Sequence, residues 1–308
     1  CTRHAYTALP IIGRSCSITP NLMTITNVTV LGTGVLGSQI AFQTAYRGFT
    51  VLAYDLDDAA IAKARKTIDV LATRYARDLP DATPEALAAA RARLSWTTDF
   101  NAAAQADLVI EAVPEQLALK REVYARLGAA APAHTIFASN SSTLLPSAMA
   151  DATGRPARFL ALHFGNEIWR NNIAEVMGHA GTDPEVFKAV VAFAERIGMV
   201  PIPIHKEKAG YVLNSLLVPL LTAAAELLVD GIAQPQDIDR TWKIATGSPR
   251  GPFEIYDIVG LGTAYQISSA GSPKMREFAK LLKDDYIAKG KMGVATGEGF
   301  YSYRKPAA

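Results

Sequence analysis

The sequence has only two cysteines, Cys1 and Cys16, among its 308 residues. Both stand near the start of the chain, outside any periodic segment. This excludes a disulfide framework or a cysteine-rich metal site and makes a reducing cytoplasm the expected compartment. An excess of either charge is also missing, since 31 Lys and Arg against 29 Asp and Glu leave a formal net charge of +2. That balance supplies no field for nucleic acid or an anionic membrane, so the expected partner is a small molecule met by local groups. Unbroken apolar runs are lacking as well. The longest apolar stretch, residues 211–229, is interrupted by Asn214, Pro219 and Glu226, and reads as a buried helix rather than a membrane span. Residues 1–22 mix Arg, His, Pro, Ser and Thr without the apolar core of a secretory signal; they read as a leader or disordered segment, with Met23 as the expected natural start. What the chain has in quantity is apolar residues, at 49%, enough over this length for a large core and suited to two domains.

From Ile25 the chain runs ITNVTVLGTGVLGSQIAFQTAYRGFTVLAYDLD, which reads as strand, glycine loop, helix and second strand. Gly32, Gly34 and Gly37 form G-x-G-x-x-G. The first glycine permits a tight turn, the second lets a pyrophosphate approach the backbone, and the third lets helix and strand pack closely. The helix N-terminus then faces the phosphates, with Val35 and Leu36 completing the loop. Asp55 ends the next strand, placed to accept from ribose hydroxyls and to repel a 2′-phosphate, so NAD is expected over NADP.

Residues 57–77 carry Ile61, Ile68, Leu71 and Tyr75 at helical spacing, and a second helix is expected over residues 84–94. The basic residues Lys63, Arg65, Lys66, Arg74 and Arg77 read mainly as a solvated face, with one or two available to meet an anionic substrate tail. DLVIEAV, residues 107–113, is the continuous apolar run of a strand buried on both faces of a parallel sheet. Glu115 and Lys120 follow it at the carboxyl edge, where open α/β sheets bind ligands, although a first-turn acid and a surface lysine are equally ordinary there. Another short strand, residues 135–138, ends in Ser139, Asn140, Ser141 and Ser142, which either cap the next segment or offer polar groups to a ligand.

The stretch LHFGNEIWRNNIAEVMG, residues 162–178, holds the one histidine and carboxylate pair suited to proton transfer, His163 and Glu175. Oxidising a secondary alcohol with NAD needs a base, and imidazole titrates in the useful range. A carboxylate on the second ring nitrogen selects the tautomer and stabilises the imidazolium. His4, His134, His179 and His205 read as ordinary leader, turn or linker residues.

The ordered segments VLGTGVLGSQIA, DLVIEAVPEQLALK, ASNSSTL, LHFGN, AGYVLN, SPRGPFEIYDIVGL and KMGVATGEGFYSY resemble the short-chain L-3-hydroxyacyl-CoA dehydrogenase family over residues 24–303. The resemblance implies an α/β fold: a Rossmann-type doubly wound parallel sheet followed by an all-helical C-terminal domain that forms a homodimer. It also implies NAD as hydride carrier. By position it implies His163 as base, Glu175 as its orienting carboxylate, and Ser142 and Asn214 beside the substrate oxygen. Asn140, Asn166, Glu115, Lys120 and Ser142 fall on the cofactor side, with Glu115 and Lys120 near the nicotinamide.

The expected domains are residues 23–206 for NAD and 207–308 for substrate and dimerisation. VPIPI, residues 200–204, reads as a last strand, and the glycine-rich loops at 248–251 and 290–299 as turns between helices. The expected activity is NAD-dependent oxidation of a short-chain (S)-3-hydroxyacyl-CoA. The alternatives are a free 3-hydroxy acid, of the gulonate or carnitine type, and an idle NAD-binding protein. The chain departs from the family's usual pattern at Trp169, Arg170, Asn171 and Asn172. There a bulky indole would shorten an acyl pocket and the polar residues would bind a polar group, or all four only repack the loop.

Overall fold

The structure is a computed structural model that describes residues 24–303. The expected leader, with Cys1, His4, Cys16 and Met23, lies outside the described residues. The chain divides into two compact units between Ala209 and Gly210.

The first unit runs β1 (Asn27–Leu31), α1 (Val35–Tyr46), β2 (Thr50–Tyr54), α2 (Asp58–Asp78), α3 (Pro84–Ala92), β3 (Leu94–Thr97) and α4 (Phe100–Ala103). It continues β4 (Leu108–Glu111), α5 (Leu117–Ala130), β5 (Ile136–Ser139), β6 (Phe159–Phe164), β7 (Ile173–Met177), α6 (Pro184–Arg196) and β8 (Val200–Ile204). One eight-stranded sheet has the order β3-β2-β1-β4-β5-β6-β7-β8. All neighbours are parallel except β6 and β7. Strand order reverses between β1 and β4, and the crevice outside the carboxyl ends at such a switch point is where doubly wound sheets bind ligands.

Local chemistry accounts for these elements. The central strands β4, β5 and β6 are buried at every residue, as their mainly apolar sequences favour, with Glu111, Ser139 and His163 buried at or near their carboxyl ends. Asp57, Thr83 and Asp183 cap α2, α3 and α6 by accepting backbone N–H groups, and α3 and α6 begin on proline, whose missing N–H would be unpaired there in any case. Pro201 and Pro203 are tolerated in β8 because it is an edge strand that pairs only with β7. The helix expected over residues 84–94 stops at Ala92, and Leu94 instead begins β3 at the opposite sheet edge. That four-residue strand and α4 after it are too short to carry a period of their own.

The second unit is helical: α7 (Leu213–Val229), α8 (Pro235–Thr246), α9 (Pro252–Val259), α10 (Leu261–Ser269) and α11 (Pro273–Leu281), then short turns. Its core gathers Leu221, Ala225, Phe253, Tyr256, Phe278 and Phe300. The apolar stretch over residues 211–229, expected as a helix of a domain core or dimer interface, forms α7, with Leu221, Ala224 and Ala225 buried and Leu216, 71% exposed, and Val218 open. The glycine-rich stretch near the end is held down by Asp257 on α9. Its buried carboxylate accepts the backbone N–H groups of Phe300 and Tyr301 and the Tyr303 hydroxyl. Burial pushes this carboxyl above its ordinary range despite those bonds. No helix among the described residues is long and apolar enough to cross a membrane.

Candidate active site

Two glycines make the β1–α1 turn possible by close approach. Gly32 sits at φ +89°, and a Cβ there would lie 2.7 Å from the Ala112 carbonyl oxygen. A Cβ on Gly37 would lie 1.9 Å from the Gly32 carbonyl oxygen, so only glycine lets α1 pack on the turn. Gly34 differs, because a Cβ there would meet nothing within 4 Å. Packing leaves its side open, which suits a ligand that must come close to the backbone. Helix α1 has no side-chain cap and no acid in its first turn, so Val35, Leu36 and Gly37 present their N–H groups at its positive end. Asp55 sits beside this loop, with Oδ2 accepting the Thr33 N–H at 2.8 Å and the Thr33 hydroxyl at 2.5 Å. An open glycine, an uncapped helix N-terminus and a carboxylate at the end of β2 fit a dinucleotide.

At the carboxyl end of β6, antiparallel pairing puts His163 directly opposite Glu175 of β7. The loop of residues 165–172 has the length that aligns them, and directly opposed side chains on one sheet face touch. Glu175 Oε2 lies 2.9 Å from His163 Nδ1, and the two side chains are 1% and 5% exposed. A carboxylate only accepts, so Nδ1 donates to it, and in a neutral ring the lone pair then falls on Nε2.

Polar residues from β5 surround the strand ends. Asn140 Oδ1 accepts the N–H of Phe164, the residue after His163, and so ties the end of β5 to that of β6. Glu115 Oε1 accepts the Ser141 hydroxyl, the Ser142 and Thr143 N–H groups and the Thr143 hydroxyl, which shapes the turn carrying Ser142. Half-burial raises the Glu115 pKa, but the bonds from Ser141 and Thr143 and the Lys120 charge outweigh it, and the net shift is down. Lys120 is 1% exposed and bonds Glu111. It is therefore not the surface lysine that position alone allowed.

The residues after His163 are strapped to the helices. Gln39 of α1 accepts the Glu167 N–H at 2.8 Å, where Glu167 takes the left-handed φ of 57°. Trp169 is buried, lies 5.1 Å from the Tyr75 ring and donates Nε1–H to Asp78 at 2.9 Å. The bonds from Arg77 and Trp169 hold the Asp78 carboxyl down at about 2. Arg170 lies 3.7 Å from Glu167, Asn171 donates to the Asn166 carbonyl and Asn172 to the Gly198 carbonyl. The indole is thus committed to α2, and the three polar residues are tied to the loop and its neighbours.

The first unit therefore brings His163, Glu175, Asn140, Ser142, Glu115 and Lys120 to one sheet edge with the glycine loop and Asp55. Asn166 is exposed in the loop after β6. Asn214 belongs to the second unit, in the first turn of α7, where its N–H donates to Gly210. Sequence reasoning missed Gln39 and Glu111. Neither carries a local signal, since each takes its role from partners far along the chain. Among the described residues no group of three His, Cys, Asp or Glu is placed to hold a metal ion.

Fold and site thus define a nucleotide-binding oxidoreductase architecture. The model of the 3-hydroxyacyl-CoA dehydrogenase NAD-binding domain matches residues 27–208, and that of the family's C-terminal domain matches residues 210–303. The mitochondrial hydroxyacyl-coenzyme A dehydrogenase of Rattus norvegicus is 37% identical over 91% of this chain and 92% of its own. Among solved structures, a diketoreductase described as acting on dicarbonyl compounds is 63% identical with a TM-score of 0.88, covering 91% of this chain and 99% of its own. The (S)-3-hydroxybutyryl-CoA dehydrogenase of Ralstonia eutropha is 30% identical with a TM-score of 0.76, covering 92% and 100%. The chain belongs to the 3-hydroxyacyl-CoA dehydrogenase family of NAD-dependent oxidoreductases.

Proposed function

We propose that this protein interconverts a short 3-hydroxyacyl compound of (S) configuration and the corresponding 3-oxoacyl compound, with His163 as the acid–base group. The observation that carries this reading is the buried His163–Glu175 pair at the carboxyl edge of β6. In the oxidative direction His163 Nε2 takes the hydroxyl proton as the carbinol carbon gives up its hydride. In the reductive direction the imidazolium returns that proton to the ketone oxygen. Glu175 keeps Nδ1 protonated and stabilises the ring when it becomes cationic. Ser142 and Asn214 steady the substrate oxygen, and NAD supplies the hydride acceptor when bound. The glycine loop, with Gly32, Gly34, Val35, Leu36 and Gly37, holds the pyrophosphate and Asp55 the ribose, while Glu115, Lys120, Asn140 and Asn166 shape the nicotinamide end. Exposed Leu216, Val218 and Ile244 in the second unit support a homodimer.

Two substrate readings share this chemistry. The family supports a CoA thioester such as 3-hydroxybutyryl-CoA. The diketoreductase, 63% identical and described as acting on dicarbonyl compounds, supports a dicarbonyl compound without CoA as the second reading. NADH oxidation measured across acetoacetyl-CoA, longer 3-ketoacyl-CoAs, ethyl acetoacetate and free 3-keto acids separates them. A kcat/KM at least about tenfold higher for acetoacetyl-CoA than for ethyl acetoacetate supports the thioester reading, and the reverse ranking supports the free compound. No turnover of any of them sinks the proposal in favour of an idle NAD-binding protein.

Asp55→Ala is expected to weaken NADH binding about tenfold, because charge-assisted bonds to ribose hydroxyls contribute roughly 1.5–3 kcal/mol. NADPH should be disfavoured less than before, since the repelling carboxylate is gone. Fluorescence titration with both nucleotides measures this, and an unchanged NADH affinity would remove the ribose argument.

A further inference from the structure

The strand order places the carboxyl ends of β4 and β5 between the glycine loop after β1 and His163 at the end of β6. Three strand spacings of about 4.8 Å separate β1 from β6. A ligand reaching from that loop to that imidazole must therefore cross the ends of β4 and β5. Beneath this path lies a buried ionic group that the proposed reaction does not use.

Glu111, the last residue of β4, is fully buried. Its Oε1 accepts the Val113 N–H at 2.8 Å and Lys120 Nζ at 2.5 Å, and its Oε2 accepts the Tyr124 hydroxyl at 3.0 Å and the Ser139 hydroxyl at 2.8 Å. An ionised carboxylate has about four acceptor sites, and all of these are taken. Lys120 Nζ donates to Glu111 and to the Val113 carbonyl at 3.2 Å, and pairs ionically with Glu115 Oε2 at 3.3 Å. The other oxygen of Glu115 organises the turn from Ser141 to Leu144, in which the Ser141 hydroxyl donates to Glu115 and accepts the Leu144 N–H. Two carboxylates share one ammonium, and the outer one shapes the backbone that presents Ser142.

We infer that Glu111 is a positioning residue for the reaction: it anchors Lys120, Lys120 holds Glu115, and Glu115 sets the turn that aims Ser142 at the substrate oxygen. The inference rests on the reading of His163 and Ser142 given above. Its physical basis is that a reacting group displaced by about an ångström loses on the order of a hundredfold in rate, so a remote anchor is felt in kcat. Burying the anchor removes water as a competing partner for each of its bonds.

The test uses the full chain and a mutant cycle. Glu111→Gln/Lys120→Met removes the buried pair together, so that neither charge is stranded, and Glu115→Gln breaks the outer link. Ser142→Ala is made alone and in each of these backgrounds. NADH titration by fluorescence gives the affinity and the number of binding-competent chains, and kcat per competent chain is read with ethyl acetoacetate and acetoacetyl-CoA. Both relay variants are expected to lower kcat about tenfold while KM and the NADH Kd stay within about threefold. Ser142→Ala is expected to cost about tenfold alone and less than about twofold in either relay background. A Ser142→Ala loss that is the same in every background overturns the relay. So does a tenfold weaker NADH Kd in the pair variant that Glu115→Gln does not share, which would make Lys120 a cofactor contact. If Ser142→Ala alone leaves kcat unchanged, the role of Ser142 falls and the relay with it. Should the pair variant not fold, Tyr124→Phe removes one donor to Glu111 and keeps the ring. It is expected to lower kcat about twofold to fivefold and to diminish the Ser142→Ala effect, and strict additivity overturns the inference.

Discussion

Replacing His163 with alanine is expected to lower kcat by about two to four orders of magnitude while NADH affinity stays within about threefold, the range that positioned acid–base groups contribute. The glycine loop and Asp55, proposed to hold the cofactor's phosphates and ribose, stand at the ends of β1 and β2, whereas His163 stands on β6, so the two losses are expected to be separable. Glu175 is 1% exposed, and alanine takes away the Nδ1–H that it accepts. That costs about 1–3 kcal/mol of stability. His163→Gln retains a side-chain N–H and serves as the companion, with the same loss of kcat expected and a smaller fall in Tm. Steady-state rates normalised to NADH-binding stoichiometry decide the matter. A kcat within tenfold of the unaltered protein would mean that another group moves the proton.

Gly37→Ala carries the second largest expected effect, on the cofactor. The added Cβ falls 1.9 Å from the Gly32 carbonyl oxygen, and backbone must move to admit it. Overpacking of this kind costs about 1–3 kcal/mol, and a shift of α1 also withdraws its N-terminal N–H groups from the pyrophosphate. NADH affinity is expected to fall about a hundredfold, as when two charge-assisted bonds are lost, with a lowered Tm. Gly34→Ala provides the contrast, because its Cβ enters open space. It should fold with an unchanged Tm and still bind NADH poorly. An unchanged NADH affinity in Gly34→Ala would show that the open side of Gly34 is not reserved for a ligand.

The βαβ unit was legible because its signals are local. Glycine conformation, an acid at a strand end and the switch from strand to helix periodicity all act over a few residues. The edges were less so. β3 is four residues long and mixes polar with apolar side chains, and its pairing with β2 gives it strand form. The 165–172 loop shows the same limit from another side, since Trp169 becomes core only because Asp78 and Tyr75 of α2 stand beside it.

The sequence by itself determined the glycine loop, the acid at the end of β2, the helix caps and the twelve-residue spacing of His163 and Glu175. Each depends on backbone conformation or periodicity within a short span. Tertiary structure alone decided the partners. Antiparallel return of β7 turned the spacing into a buried pair, and the adjacency of β4 and β5 joined Glu111 to Ser139 across 28 residues. The partners of a buried lysine depend on which strand ends become neighbours. The ion pairs of Lys120 with Glu111 and Glu115 follow from the same adjacency.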